Sequence, residues 1–562
     1  MSTSLFRKKS VRQALGDAGD GNLTEGHPAE SGGFEDKSLA KVLGVRDLTS
    51  FGIAAIIGAG IFSTIGRASA DGGPAVSLLF VFTAIACVFT ALSYAQFAST
   101  VPVSGSAYTY AYVAFGEIFA WIIGWALILE YAVSNMVVAI SWSEYFTSML
   151  KGFGINFPGY LATDYGSAAA AHKAVMAGEP ADEGVKYLAQ AYASAPDLGS
   201  FKLIMDLPAG IITVLITALV YIGIKESRTA SNILVVLKLA VIGLVILAGA
   251  FYIKPENWSP FAPNGVKGVL SGVASVFFAF IGFDSISTTA EECRNPQRDL
   301  PRAMIYCLII CTVLYVLITL VLTGMVNYKE LGVDDPLAYV FQKVGLNFIA
   351  GVISVSAVVA ITSALLVYQL GQPRIWMTMS RDGLLWPKFS KIHPKYKTPS
   401  FATIMTGAIV AIPSLFLDMQ FFIDLTSVGT FFAFILVCGG ILYLDARGIS
   451  QESKFRVPYI NGKFIVGFGL LIALAFAINS GDFIGMIEEK PLMGIFWITW
   501  TVLAVLSFMH SFSLLPILGI LTNLYLMTEL GVSNWLIFVV WLVIGLVIYF
   551  SYGYRQSKLA HK

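Results

Sequence analysis

The stretch FGIAAIIGAGIFSTIGRA, residues 51–68, is apolar enough to lie in a hydrocarbon core, and yet it contains four glycines. A second stretch, SVFFAFIGFDSISTTAEE at residues 275–292, places Gly282 two residues before the acidic Asp284. Glycine in the middle of a membrane helix either permits close packing against a neighbouring helix or accompanies an interruption of the helix. Because each stretch begins a set of five apolar segments, we interpret the two as corresponding interruptions.

The composition of the chain indicates that most of it is solvated by lipid. Of the 562 residues, 56% are hydrophobic and only 13% are charged, and the mean hydropathy is +0.75. Soluble domains carry about 25% charged residues, so these charges are too few to cover a soluble surface. The net charge of +1 provides no basic field that would attract nucleic acid, and we expect no nucleic-acid partner.

Fourteen apolar segments are long enough to cross a hydrocarbon core, which takes about 20 helical residues. The sequence therefore predicts an all-α polytopic membrane protein with fourteen spans. Spans 9, 11 and 13 are short, which leaves twelve as the alternative count. In chain order, spans 1 to 14 are predicted at about 48–67, 76–100, 117–147, 208–224, 232–252, 268–290, 303–325, 346–372, 401–417, 421–444, 463–480, 492–510, 514–529 and 534–553.

The segments outside these spans indicate how the chain is organised. Most of the 36 Lys and Arg residues lie in the tails and in alternate loops, so the positive-inside rule predicts that both termini are cytoplasmic. We expect a multi-pass protein of the plasma (inner) membrane. The external insertion contains sequence that predicts one or two short helices. The predicted parts are a disordered N-terminal tail (1–46), a first five-helix repeat (47–252, with the insertion at about 148–207), a second, inverted five-helix repeat (253–445), C-terminal helices (446–553) and a C-terminal tail (554–562).

Sequence motifs that would indicate an enzyme or a metal site are absent. The chain has no Walker loop, no His-Glu-x-x-His and no Gly-x-Ser-x-Gly motif. Its five cysteines form no Cys-x-x-Cys pair, and its five histidines are widely scattered. We therefore expect no catalytic residues, no cofactor and no metal, and we look for the chemistry inside the helix bundle.

An interrupted membrane helix exposes backbone groups that can bind a small dipolar molecule. The second half-helix begins with free N–H groups and about half a positive charge, which attract an anion. The carbonyl groups that end the first half-helix accept hydrogen bonds from a cation. A zwitterion with a carboxylate and an ammonium group satisfies both. For span 1 alone, packing by small residues is an equal alternative, and the correspondence with span 6 favours binding.

Lys238 is the one lysine that falls in the interior of a predicted span. An ammonium group at the centre of a membrane helix costs about 2.5 to 3.5 kcal/mol, so this side chain needs carbonyl or carboxylate partners or must release its proton. Lys238 is therefore a candidate proton carrier. The alternative is that its side chain extends to the cytoplasmic end of span 5, roughly two turns away.

Two carboxyl groups also fall at membrane depth, Glu130 in span 3 and Asp284 in span 6. Either can stabilise a substrate ammonium or guanidinium group or accept a proton, and the alternative is a protonated carboxyl that packs between helices. Asp284 adjoins the interruption of span 6, which favours a functional role. Thr362 and Ser363 in span 8 are candidate pocket residues, although such hydroxyls commonly bond back to their own helix.

Several long stretches of the chain match a known transporter family. They are IIGAGIF at 56–62, VPVSGSAYTY at 101–110, FFAFIGFDSISTTAEECRNPQRDLPRA at 277–303, GQPRIWMTMSRDGLLWPKFSKIHPKYKTP at 371–399, FRVP at 455–458, PILGILTNLYL at 516–526 and WLVIGLVIYFSYGYRQS at 541–557. On these residues the sequence resembles the amino acid–polyamine–organocation superfamily, and specifically bacterial members of its cationic amino acid transporter family. The resemblance covers nearly everything from residue 40 to residue 558.

This resemblance implies two inverted five-helix repeats with discontinuous spans 1 and 6, followed by further helices. It implies that Lys238 takes the place that a sodium ion fills in sodium-coupled relatives, which favours proton coupling. It also implies a substrate site at the two interruptions. The backbone of Ile57, Gly58, Ala59, Gly60 and Ile61 would hold the substrate carboxylate, the carbonyls of Phe278, Ala279 and Ile281 would hold the α-amino group, and Phe280 would help to close the pocket.

These features predict a secondary active transporter that imports amino acids by alternating access, with proton symport favoured. The alternatives are an amino acid exchanger or a polyamine carrier of the same fold, or an amino acid sensor that does not transport. The expected partners are an amino acid, a proton and the lipid bilayer, and a small membrane subunit or a homo-oligomer is left open. So is the choice between cationic and small neutral side chains. Two segments, the external insertion and an added helix pair near 462–513, depart from the compact bacterial pattern.

Overall fold

All fourteen predicted spans are helical in the computed structural model, and the prediction of an all-α polytopic membrane protein is confirmed. Within the described residues, nine helices are long and apolar enough to cross a membrane. Spans 4, 9, 11 and 13 are shorter apolar helices. The last of the fourteen predicted spans, span 1, begins with the helix Val45–Ile56. The described residues are 5–11, 13–14, 41–58, 60–179, 183–199, 201–333, 335–448, 453–479, 485, 487–488 and 490–560.

The helices agree closely with the predicted spans. Spans 1 to 7 are Val45–Ile56 with Gly60–Thr64 and Ile65–Gly72, then Val76–Thr100, Glu117–Gly152, Leu207–Ile222, Ile224–Ala250, Val273–Phe278 with Phe283–Glu292, and Pro296–Met325. Spans 8 to 14 are Asn347–Arg381, Ser400–Ser414, Met419–Ala446, Ile465–Asn479, Pro491–His510, Leu514–Thr528, and Val532–Ile548 continued by Tyr549–Gly553 and Tyr554–Gln556. Further short helices are Gly73–Ala75, Ser106–Ala114, Gly159–Leu161, Tyr165–Met176, Glu183–Ser194, Pro255–Trp258, Gly265–Ser271, Tyr328–Glu330, Pro336–Lys343 and Pro387–Ser390.

The contacts between helices repeat when five is added to each span number. Span 2 packs against span 7, span 3 against span 8, and span 4 against span 9. In each of these pairs the two helices hold the same position in the two sets of five, so the addition of five leads back to the same pair. The contact between spans 1 and 7 maps onto that between spans 6 and 2, and the contact between spans 3 and 10 maps onto that between spans 8 and 5. Two copies of one five-helix arrangement produce this pattern. Because five is odd, the second copy runs through the membrane in the opposite direction.

The second half of span 6, Phe283–Glu292, is a 3₁₀-helix, which is unusual over ten residues. Its sequence explains this geometry. The hydroxyls of Ser287, Thr288 and Thr289 each donate to the carbonyl three residues earlier, at 2.6, 2.7 and 2.8 Å. Such bonds compete with the α-helical pattern, and the tighter turn accommodates them.

The first and last described segments of the chain lie at the same end of the bundle, which we name the terminal face. Arg7 donates to the Tyr554 carbonyl at 3.3 Å, and Lys558 N donates to the Asp382 carbonyl at 3.1 Å. Residues 5–11 therefore depart from the predicted disordered tail 1–46, because they pack against folded parts of the chain. Most of the remainder of that predicted tail, 1–4, 12 and 15–40, lies outside the described residues.

The sequence predicted one or two short helices in the insertion between spans 3 and 4, and the structure has two, Tyr165–Met176 and Glu183–Ser194, which pack against each other. They are followed by a two-residue antiparallel strand pair, Asp197–Leu198 with Phe201–Lys202, which the sequence did not indicate. Asp206 then caps span 4, because its side chain accepts from Ala209 N. The insertion has a small apolar core of its own.

Candidate functional site

Span 1 is interrupted directly after Ile56. The first helix ends there, and Ile57 adopts φ −81° and ψ 84°, outside the helical region. The Gly58 N–H donates to Ile56 O at 3.0 Å, and the Ile61 N–H donates to Gly58 O at 3.3 Å. A single turn of π-helix beginning at Gly60 starts the second half of the span. The interruption predicted from the sequence is thus present, and one of its predicted residues, Ala59, lies outside the described residues.

Span 6 is interrupted between Phe278 and Phe283. Ala279, Phe280 and Ile281 continue the turn beyond Phe278. Gly282 then takes φ +117°, a left-handed conformation that side-chain-bearing residues avoid. The backbone therefore changes direction at Gly282.

The two interruptions lie directly against each other. A Cβ atom built on Gly60 would lie 2.4 Å from Ala279 Cα, and one built on Gly282 would lie 2.8 Å from Ala55 Cβ. A Cβ on Gly58 would lie 2.8 Å from that of Ala364 in span 8. No side chain fits between these backbones, so the glycines allow the two unwound segments to approach at membrane depth.

Tyr315 of span 7 joins the two interruptions through one hydroxyl group. Its oxygen lies 2.8 Å from the Ile56 carbonyl and 2.7 Å from the Ala279 carbonyl. The Tyr368 hydroxyl of span 8 donates to the Ile281 carbonyl at 3.1 Å. Two of the carbonyls that the family resemblance implies for a substrate ammonium, those of Ala279 and Ile281, thus already accept from tyrosines. A carbonyl oxygen has a second lone pair for a further donor.

Neither Tyr315 nor Tyr368 was predicted from the sequence to contact the interruptions. The available signal was a tyrosine within an apolar span, because a buried phenol needs a hydrogen-bond partner. That signal is weak here, since the chain contains 24 tyrosines.

Lys238 reaches the carbonyl end of the first half of span 1. Its side chain is fully buried, and its ammonium donates to the carbonyls of Ala54, at 3.2 Å, and Ile57. These carbonyls lack their normal helical donors because the helix stops at Ile56. No carboxylate among the described residues forms an ion pair with Lys238.

Glu130 of span 3 and Asp284 of span 6 are two acidic residues at membrane depth, and Asp284 lies two residues beyond Gly282. Both are buried, and they interact electrostatically. The Tyr131 hydroxyl lies 3.3 Å from Asp284 Oδ2. Within the described part of the chain, Glu130 Oε2 and the Tyr94 hydroxyl have no hydrogen-bond partner. The bundle therefore contains a buried acidic pair with polar atoms that remain available.

Thr362 and Ser363 do not join this arrangement through any described hydrogen bond. Thr362 donates to Val358 O at 2.7 Å and accepts from the Trp142 indole at 2.9 Å. Ser363 donates to Ala360 O at 2.7 Å. Both hydroxyls thus bond back to their own helix, which is the alternative that the sequence left open.

Ion pairs hold span 8 at the terminal face. Arg374 Nη2 lies 2.9 Å from both carboxylate oxygens of Glu292, and these two side chains are almost completely buried. About two helical turns further along, Arg381 lies 3.3 Å from Glu291. The end of span 6 is therefore fixed to span 8 by two charge pairs beyond the interruptions.

Comparison with known proteins extends along the whole chain. The family described as "Amino acid permease" matches residues 43–505, and "C-terminus of AA_permease" matches residues 513–557. The chain is 38% identical to the branched-chain amino acid permease BcaP of Bacillus subtilis over 560 residues, covering 100% of both chains. It is 36% identical to the methylthioribose transporter of the same organism, covering 99% of both.

A plant relative extends the comparison to the cationic amino acid transporters. Identity to the vacuolar cationic amino acid transporter 2 of Arabidopsis thaliana is 31%, covering 99% of this chain and 94% of that protein. The predicted family resemblance is confirmed, as is the expectation that the protein is a transporter and not an enzyme. With its two family matches and its interrupted spans 1 and 6, the chain belongs to the amino acid permease family.

Proposed function

We propose that this protein is a proton-coupled symporter that imports amino acids across the plasma membrane by alternating access. The observation that carries the proposal is the contact of Lys238 with the carbonyls of Ala54 and Ile57. A titratable amine thereby holds the backbone at the interruption where a substrate would bind. Proton binding and substrate binding then act on the same turn of span 1.

The substrate site follows from the two interruptions. The backbone of Ile57, Gly58, Gly60 and Ile61, with the undescribed Ala59, is the proposed position of an α-carboxylate. In this conformation the N–H groups of Ile57, Gly58 and Ile61 donate to backbone carbonyls of the same segment, so the turn must rearrange for them to bind the carboxylate. The carbonyls of Phe278, Ala279 and Ile281 offer acceptors to an α-ammonium group, and Phe280 packs against the Tyr315 ring at a centroid distance of 5.3 Å. A zwitterion bound here contacts both repeats at once, which couples binding to their relative movement.

The proton step acts through Lys238. Its ammonium form donates to both carbonyls and favours the substrate-ready shape, whereas its neutral form loosens that contact and releases the substrate. One charge that moves down the membrane potential contributes about 2.3 kcal/mol per 100 mV. Since 1.4 kcal/mol is about one decade in concentration, one proton supports accumulation of nearly two decades.

The terminal face is the cytoplasmic face in this proposal. Both described ends of the chain lie there, as an even number of spans requires, and most Lys and Arg residues belong to segments on that side. The ion pairs of span 8 then close the inner side of the pathway.

The acidic pair Glu130 and Asp284 is the candidate determinant of side-chain preference. Replacement of the carboxyl group by an amide in Glu130→Gln is expected to weaken uptake of L-arginine more than that of L-leucine if the pair receives a cationic side chain. Equal effects on the two amino acids assign the pair a role in packing or proton transfer. The names of the relatives cover both branched-chain and cationic amino acids.

The decisive experiment measures uptake by purified protein in proteoliposomes with an imposed pH gradient. Lys238→Ala is expected to abolish the dependence of uptake on that gradient. Lys238→Arg keeps the charge but does not release its proton, and it is expected to bind substrate without accumulating it. The matched control is Leu237→Ala, a neighbouring residue that is exposed on the bundle. Full gradient dependence in Lys238→Ala removes Lys238 from the mechanism.

A second candidate function has a specific observation in its favour. The 36% identity to a protein named methylthioribose transporter covers nearly the whole of both chains. A thiosugar lacks the carboxylate and the ammonium group, so it would not use the paired backbone charges of the interruptions. Uptake of methylthioribose that L-leucine and L-arginine do not inhibit would favour this candidate.

A further inference from the structure

A small cleft lies on the side opposite the terminal face, with Thr64 of span 1 and Ser275 of span 6 in its lining. Span 1 runs from the terminal face to the opposite side, and span 10 begins on that opposite side. The cleft lies between them and the first half of span 6. Its lining residues include Thr64, Arg67, Ser275, Val333, Gln420 and Ile423.

The floor of this cleft is in direct contact with both interrupted spans. The Thr64 hydroxyl donates to the Gly60 carbonyl at 2.8 Å and lies 3.3 Å from the Ser275 carbonyl. Gly60 in turn lies against Ala279. A solute at the bottom of the cleft is therefore one helical turn from the proposed substrate site.

Among the described residues, Arg67 is the one charged side chain that lines the cleft. Its Nη1 donates to the side-chain oxygen of Gln420 at 2.9 Å, so the cleft is bridged by a cation and a neutral amide. Among the described residues no carboxylate forms an ion pair with Arg67. The described acidic residues that adjoin the lining residues in the chain include Asp71 and Asp418. Asp71 is four residues further along the same helix, and Asp418 caps span 10 through Gln420 N and Phe421 N.

We propose that Arg67 forms an outer binding subsite that captures the substrate's α-carboxylate before it reaches the interruptions. This inference rests on the proposed transport function. A guanidinium group presents two parallel N–H donors that match a carboxylate, and a charged acceptor displaces a neutral amide because the charge-assisted bonds are stronger. Release of Gln420 also separates spans 1 and 10 at the mouth of the cleft.

The test compares Arg67→Gln, Arg67→Lys and the parent in proteoliposomes, with labelled L-leucine and L-arginine as probes. Arg67→Gln is expected to raise KM about tenfold with little change in maximal rate, because capture is weakened and the inner site is intact. The KM of Arg67→Lys is expected to lie between those of the parent and Arg67→Gln, because lysine keeps the positive charge but lacks the two parallel N–H donors of the guanidinium group. Lys254→Gln removes an exposed positive charge from the loop between spans 5 and 6, outside the cleft, and is the matched control.

Ionic strength supplies a readout that a purely structural role would not change. Added salt screens an exposed charge, so the KM of the parent is expected to rise with ionic strength and that of Arg67→Gln to stay flat. An unchanged KM in Arg67→Gln, or the same salt dependence as in the parent, overturns the subsite and leaves the transport proposal in place. Absence of amino acid uptake by the parent itself would instead remove the transport proposal.

Discussion

The ammonium group of Lys9 lies 2.6 Å from Asp382 Oδ1, and both side chains are almost completely buried. Asp382 directly follows span 8, and its second carboxylate oxygen accepts from the Tyr108 hydroxyl at 2.7 Å. Nearby, the Arg7 carbonyl accepts from Glu117 N at 2.8 Å. A segment far upstream of span 1 is thus bound to the elements that close the terminal face.

Lys9→Ala is expected to destabilise the protein, because it leaves Asp382 buried without its cation. Loss of one partner from a buried pair costs about 3–5 kcal/mol. Thermal unfolding in detergent measures this as a lower Tm, and Lys558→Ala, an exposed lysine on the same face, is the control. The reversed pair, Lys9→Asp with Asp382→Lys, is expected to recover part of the loss. A double variant no more stable than Lys9→Ala would contradict the pairing.

Gly60→Val is expected to abolish substrate binding, because its Cβ would lie 2.4 Å from Ala279 Cα and would force the two interruptions apart. The measurement is the rise in Tm that L-leucine or L-arginine produces in the parent. Gly351→Val is the matched control, since a Cβ on Gly351 in span 8 meets no atom within 4 Å. A normal substrate-induced rise in Gly60→Val counts against the site.

Tyr315→Phe removes the hydroxyl that joins the Ile56 and Ala279 carbonyls. Because the site is buried, we expect a loss of about 1–3 kcal/mol in unfolding free energy. Tyr306→Phe, a half-exposed tyrosine in the same span, is expected to leave the Tm unchanged. Equal unfolding curves for Tyr315→Phe and the parent would show that the hydroxyl does not hold the two interruptions together.

Arg374→Gln leaves Glu292 as an unpaired buried charge at the end of span 6. The expected loss is again about 3–5 kcal/mol. The comparison is Lys343→Gln, which breaks the exposed pair of Lys343 with Glu330 and should cost about 1 kcal/mol or less. Both variants break one ion pair, so the difference between the two Tm shifts measures the effect of burial. Similar shifts would refute the assignment of the Arg374 pair as a buried clamp.

Much of the arrangement around the interruptions followed from local sequence. Glycines at 58 and 282 sit within apolar runs, and a lysine within span 5 has few places to find acceptors, so the interruptions and a partner for Lys238 were predictable. The carbonyls that Lys238 contacts, Ala54 and Ile57, were not named individually, because their position depends on how span 5 packs on span 1. The role of Tyr315 was missed for the same reason.

The amino-acid sequence alone was enough to predict that lipid surrounds most of the chain, that the fold is all-α, and that spans 1 and 6 are interrupted. Hydropathy and backbone freedom are properties of short segments, and they act before any distant residue is in contact. Three contacts became visible in the folded structure alone. Tyr315 bridges both interruptions, Lys9 pairs with Asp382, and Arg67 bonds to Gln420 across a cleft. These contacts join residues far apart in the chain, and their geometry arises when the helices pack and each buried polar group must find a partner.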